Sequence, residues 1–255
     1  MQFAFGTGVF WGTPLTDANG NSIATPTPVQ LGVLQEMSLD ISFDTKTLYG
    51  QQQFPVAVGR GKGKMAGKSK FAQLGAAAIN SLVFGQTLTA GQTSDFYDVA
   101  GSVIPASPYT VTVVPPASGT WAYDLGVRNA NGVPMTRVAT APATGQYSVA
   151  GGVYTFAAAD TLKQVFISYQ YTVSSANAPT AQKSIVGNVL MGLSPTFKGD
   201  IYIPYNGKSL ILTIPQCVCS KFTFSTKQDD FMVPEFDFEG FADAAGNALY
   251  WSTSE

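Results

Sequence analysis

Nine residues from Glu36 to Asp44 alternate without a break. Glu36, Ser38, Asp40, Ser42 and Asp44 hold the even beats; Met37, Leu39, Ile41 and Phe43 hold the odd ones. Successive side chains of a strand point to opposite faces, so this segment predicts a strand with one core face and one wet, acidic face. The pattern returns near the other end of the chain. There Glu235, Asp237 and Glu239 alternate with Phe236 and Phe238 within Phe231–Phe241.

Other short runs carry the same period. Phe54–Val58, Tyr109–Val114, Val165–Tyr171 and Phe222–Phe224 read as strands, and Ala248–Trp251 closes the series after the turn Asp243–Asn247. Ile201–Tyr205 and Lys208–Ile214 flank Asn206-Gly207, a pair that favours a tight hairpin turn. Asp17–Asn21, Pro26 and Pro28 predict a long loop or extended hairpin before the Glu36 strand. One segment changes period. Phe71, Leu74, Ala78 and Leu82, with Ile79 and Val83, recur at helical spacing, so a helix is expected from Ser69 to about Phe84, capped by Ser69 and ended by Gly85.

The fold class expected is mainly β: an antiparallel sandwich or barrel with one flanking helix and a small inserted β domain. The stretch 96–171 has its own texture, with short β patterns between Pro115-Pro116, Asn131-Gly132 and Gly151-Gly152. We read it as the insertion, with 1–95 and 172–255 forming the main β domain and Ser174–Thr180 a return linker. At 255 residues the chain needs no disulfide to hold a core.

Composition bears on function mainly through what is missing. There is no His, which removes the commonest general base and the commonest zinc ligand. Cys217 and Cys219 share one strand face with no other Cys to complete a zinc site. They read as two small buried apolar residues, with a redox pair as the other reading. A net charge of −2 argues against a general nucleic-acid-binding face. Charged residues are 12% of the chain, about half the usual share, which suits a surface covered by neighbouring subunits. Met1–Gly6 has neither a basic segment nor an apolar run, so no signal peptide is expected, and no stretch is apolar enough for a membrane span. The aromatic residues fall on the apolar beats of strands and read as core or subunit contacts.

Lys62–Ser69 ends like a phosphate-binding loop. However, Lys62 stands where the first Gly should be, and no series of βα units follows. Arg60, Lys62, Lys64, Lys68 and Lys70 are therefore expected on a flexible basic loop that meets an acidic surface, such as the next subunit. The acidic rows Glu36/Asp40/Asp44 and Glu235/Asp237/Glu239 could hold a glycosidase carboxylate pair, but a charge at every second residue suits a line of like charge better. No catalytic, cofactor-binding or metal-ligating residues are assigned, and the chain is expected not to be an enzyme.

Taken in order, the strand Glu36–Asp44 with Thr47-Leu48-Tyr49-Gly50, the segment Phe54–Phe84 and the terminal run Phe236–Asn247 resemble the tail tube proteins of long-tailed bacteriophages. The resemblance covers about residues 29–95 and 180–255; Gly145–Val149 and Gly152–Phe156 look like segments of other phage virion proteins. It implies hexameric rings that stack into a tube in the virion tail, assembled in the bacterial cytoplasm. The expected partners are further copies, other tail proteins and viral DNA passing through without specific binding. One or both acidic rows would line the lumen and repel phosphates, and the insertion would project outward. Two alternatives stay open. One is another virion part (tail terminator, decoration or baseplate-proximal ring); the other is a glycan-binding or glycan-processing module.

Overall fold

The computed structural model describes residues 6–73 and 75–254. The fold is mainly β, with antiparallel sheets and one short helix. The chain makes four strands (β1–β4), the helix, ten strands (β5–β14) and four more (β15–β18). Its contacts divide it into two compact units: the residues to Thr87 together with those from Ser184 on, and Leu88–Lys183. The second unit is wider than the expected insertion 96–171, because Gln92–Phe96 is a strand paired with the last long strand of that unit.

Unit 1 holds β1 (Val9–Pro14), β2 (Val29–Gln30), β3 (Val33–Tyr49) and β4 (Pro55–Gln73). After unit 2 it resumes with β15 (Thr196–Tyr205), β16 (Lys208–Thr223), β17 (Glu235–Phe241) and β18 (Tyr250–Thr253). They form one sheet in the order β2-β1-β15-β16-β17-β4-β3, with β18 beside the first half of β16. The Asn206-Gly207 turn joins β15 to β16, with Tyr205 opposite Lys208. Both turn residues have positive φ, 47° and 76°, as a hairpin turn twisted to match its strands requires.

This sheet is rolled. Three strand spacings, roughly 14 Å on a flat sheet, separate β1 from β17. The rings of Phe10 on β1 and Phe238 on β17 nevertheless lie 5.4 Å apart. At the other seam, Thr7 Oγ1 donates to the Leu34 carbonyl of β3 at 2.8 Å, and Leu31 N–H donates to the Phe10 carbonyl at 2.9 Å. The roll encloses Phe10, Leu34, Phe71, Phe197, Ile201, Ile214, Phe236 and Phe238, all buried. The odd beats Met37 and Leu39 and the beats Phe236 and Phe238 face inward, as alternation predicts, but Ile41 and Phe43, expected on the same core face, are exposed because β3 runs on past the core.

The helix is shorter and later than its spacing suggests. Ser69–Gln73 is the end of β4; α1 begins at Ala76 and runs to Ile79, followed by a π-turn over Asn80–Phe84. Leu74, one of the periodic residues, lies outside the described residues, as do Met1–Phe5. Ser69 does not cap. It is buried on β4, and its Oγ donates to the Phe236 carbonyl at 2.9 Å. Phe71 fits helical spacing by coincidence, since the same residue also falls on the inward beat Met65-Gly67-Ser69-Phe71 of the strand. Gly85 does end the turn, at φ 58°, with its N–H on the Asn80 carbonyl. Leu82 packs directly over Gly12 of β1, where any side chain would collide with it.

Unit 2 comprises β5 (Thr89–Ala90), β6 (Gln92–Phe96), β7 (Ser102–Val103), β8 (Thr110–Thr112) and β9 (Thr120–Asn129). It continues with β10 (Thr136–Arg137), β11 (Gln146–Ala150), β12 (Val153–Phe156), β13 (Gln164–Val173) and β14 (Gln182–Lys183). One sheet is β10-β11-β12-β8; the other centres on β13, which pairs with β6, β7 and β9. Their inner faces meet in Ile104, Val127, Tyr147, Tyr154, Phe156, Val165, Ile167 and Tyr169. Within this core Asp124 is buried but well served. It accepts from Tyr147 Oη at 2.8 Å and Tyr154 Oη at 3.0 Å, with Arg137 Nη1 at 3.7 Å. Burial and that carboxylate push both phenols well above the usual tyrosine range. The chain enters and leaves unit 2 through the paired strands β5 and β14, Ala90 opposite Gln182 and Thr89 opposite Lys183.

Candidate functional site

Two features of unit 1 collect the residues singled out in the sequence: a charged sheet face and an exposed hairpin arm. The face follows from register. On β3 and β4, Glu36 lies opposite Lys70, Ser38 opposite Lys68, Asp40 opposite Ala66 and Ser42 opposite Lys64. On the other flank of β4, Glu235 of β17 lies opposite Lys70, Asp237 opposite Lys68 and Glu239 opposite Ala66. Lys221 of β16 lies opposite Asp237 in turn. Partners in register share a face, so the outer face of the roll carries charge in columns: acid on β3, base on β4, acid on β17, then Lys221.

This arrangement corrects two expectations. Arg60, Lys62, Lys64, Lys68 and Lys70 are not on a flexible loop. They are on β4, whose pairing with β3 supplies the backbone order that Gly59, Gly61 and Gly63 seemed to deny. The acidic rows are likewise not a surface of like charge, because the lysine column stands between them. Lys70 Nζ is 2.8 Å from Glu36 Oε2, and Lys64 Nζ is 3.0 Å from Glu239 Oε1. The hydrogen bond and charge of Glu36, with Glu235 adding, hold the Lys70 ammonium above the usual lysine range. A shallow cavity of about 260 Å³ opens on this face among Glu36, Lys68, Lys70, Lys221, Glu235 and Asp237.

Asp44 and Lys62 are set apart. They fall in the irregularity between the pairs Phe43–Gly63 and Thr45–Arg60, outside the regular columns. Arg60 turns to an aromatic partner instead, its guanidinium carbon 4.2 Å from the Phe43 ring centroid.

Beyond the columns, β3 and β4 run on together as an arm. Every residue from Asp40 to Lys64 except Pro55 is exposed. The arm is nonetheless rich in apolar side chains: Ile41, Phe43, Leu48, Tyr49, Phe54, Val56 and Val58 all stand in solvent, Phe54 at 81%. Exposed apolar patches of this kind mark protein, ligand or membrane contact surfaces. Past the Thr7–Leu34 seam, the far edge of β3 ends the sheet. Alternation predicted β3; nothing local in the sequence showed that β4 would follow it along its whole length.

Cys217 is fully buried in the unit 1 core and Cys219 packs against it. Burial pushes the Cys217 thiol up to about 12 and the Cys219 thiol to about 11, which leaves both protonated and poorly nucleophilic at neutral pH. Among the described residues, no three His, Cys, Asp or Glu side chains come together to hold a metal ion, and no helix is long and apolar enough to cross a membrane.

Unit 2 carries a separate open cavity of about 560 Å³, lined among others by Asp95, Tyr97, Leu125, Arg128, Met135 and Ser168. Arg128 is held over the Tyr97 ring at 4.7 Å, and its Nη2 donates to the Asp98 carbonyl at 3.3 Å. Sequence reasoning did not find this cavity, whose lining comes from four separate stretches of chain.

No protein-family model matches this chain, and no curated protein matches it.

Proposed function

We propose that this chain is the structural subunit of a bacteriophage tail tube. Six copies close a ring, rings stack into a conduit, and DNA passes from capsid to host without being held. The observation that carries this reading is the β3–β4 arm, 17- and 19-residue strands whose outer part is paired with itself and exposed among the described residues. An isolated subunit gains little from ordering such an arm, whereas a neighbouring copy that covers Leu48, Phe54, Val56 and Val58 gains apolar burial. A head-to-tail contact that closes gives a ring, and stacking leaves an open filament. The free edge of β3 is the kind of edge that a ring covers. In this reading the charged face of β3, β4 and β17 lines the bore.

Negative-stain microscopy of the purified protein tests the reading. Long tubes of uniform width are expected. Single rings would point instead to a tail terminator, and monomers or trimers to a decoration protein.

The unit 2 cavity favours one second reading, a glycan-binding module. An exposed ring (Tyr97) beside a carboxylate (Asp95), a guanidinium (Arg128) and a hydroxyl (Ser168) offers an apolar floor with a few fixed polar groups. Binding on a polysaccharide panel that is lost on Tyr97→Ala would support it.

A further inference from the structure

We infer that the carboxylate columns of β3 and β17 mask a latent duplex-DNA-binding surface, formed by Lys64, Lys68 and Lys70 of β4 with Lys221 of β16. The biological setting rests on the tube reading above; the chemistry of the face does not.

The lysine column has the geometry of a phosphate reader. Two residues along a strand advance about 6.8 Å. Lys68 and Lys70 therefore stand far enough apart to meet separate phosphates of one backbone, and Lys64 continues the column. The sheet fixes these positions, so no loop has to be ordered on contact.

Each ammonium already faces a carboxylate. Lys70 binds Glu36 at 2.8 Å and has Glu235 directly across; Lys64 binds Glu239 at 3.0 Å; Lys68 and Lys221 stand on either side of Asp237. At Lys70 and Lys64 a phosphate must displace a carboxylate already bound at 2.8 or 3.0 Å, a tethered competitor at high effective concentration, and at Lys68 and Lys221 it meets Asp237 of the neighbouring strand. The face as a whole carries five carboxylates (Glu36, Asp40, Glu235, Asp237, Glu239) against four ammonium groups, so DNA gains no net attraction from approaching it. A purely acidic wall would push DNA to the axis of a conduit. This wall is mixed, and it releases DNA because a carboxylate is bound to, or stands in register beside, each of its cations.

The test uses the whole chain, isolated as the unassembled species by gel filtration, and a fluorescent 20-base-pair duplex read by anisotropy. Wild type is expected not to bind at 50 mM salt. The variant E235Q/D237N/E239Q is expected to bind at least tenfold more tightly, with log K falling against log[salt] at a slope near −3, as three to four phosphate contacts require. Adding K64Q/K68Q/K70Q to that variant should abolish the gain. A charge-matched control, D95N/D229N/D230N, changes net charge equally but leaves the columns intact, and should not bind. Should the triple variant lose its far-UV circular dichroism, E235Q/E239Q, which keeps Asp237, answers the same question with a smaller shift. Binding by wild type, equal binding by the control, or no gain in a folded variant each overturns the mask. Absence of tubes from the wild-type sample in the microscope would defeat the tube reading and leave the mask standing.

Discussion

Gly67 of β4 lies directly opposite Phe238 of β17, and the phenylalanine ring occupies the space that a side chain at 67 would need. The ring thus covers a glycine in mid-sheet, filling the gap that a missing side chain would leave between β4 and β17. Gly67→Ala forces this core ring out of place and should cost about 1–3 kcal/mol. Urea unfolding is expected to show a lower midpoint; an unchanged midpoint would mean that the ring has room to move.

Leu82 and Gly12 form a second such pair, between the π-turn and β1. Leu82→Ala should cost about 2–5 kcal/mol through the cavity it leaves. Gly12→Ala alone is also destabilising, because the new methyl meets the Leu82 side chain. Combined, the methyl partly fills the cavity. The double variant is therefore expected to be more stable than the two single costs predict, by roughly 0.5–3 kcal/mol in a double-mutant cycle.

In unit 2, Asp124→Ala strands the hydroxyls of Tyr147 and Tyr154 in the core, at about 1–3 kcal/mol for each. Asp124→Asn keeps an acceptor and should cost less. Thermal unfolding of the two variants should rank them in that order.

The buried thiols predict an alkaline weakness. Below about pH 8.5 folded and unfolded chains both keep the protons of Cys217 and Cys219, and the contribution is complete. As pH rises toward about 12 for Cys217 and about 11 for Cys219, the unfolded chain gives up protons that the folded one retains. Stability then falls by up to ~1.4 kcal/mol per pH unit for each thiol. Denaturant midpoints between pH 8 and 11 should decline more gently in C217A/C219A than in wild type.

Joining Thr45 to Arg60 through an Asn-Gly turn removes the outer arm at a pair already in register. The deleted residues contribute nothing to the unit 1 core, so the change in stability should stay within about 1 kcal/mol. On the tube proposal, assembly should be lost. A shortened chain that still forms tubes would show that the arm is not what joins the copies.

Where a segment's own residues decide its structure, the fold could be read in advance. Glu36–Asp44 and Glu235–Glu239 declare their faces by alternation, and Asn206-Gly207 declares its turn. β4 could not be read so. From Gly59 to Lys64 every second residue is Gly, so the strand has no apolar beat there, and only its pairing with β3 holds it extended. Phe71 was misplaced for the opposite reason, because it satisfies the helical and the strand period at once. The charged columns were out of reach altogether. Each row was visible, but that the lysines of β4 stand between the two acidic rows depends on β17 returning from more than 160 residues away to pair with β4.

The two-stranded stem of unit 2 has a further consequence. Because β5 and β14 are paired, the chain departs from unit 1 and comes back to it at neighbouring points, with Gly91 N–H bonded to the Ala181 carbonyl just above the stem at 3.0 Å. Unit 2 is therefore a cassette. A domain whose termini lie one strand spacing apart could be spliced between the same two points and leave the strand order of unit 1 as it is.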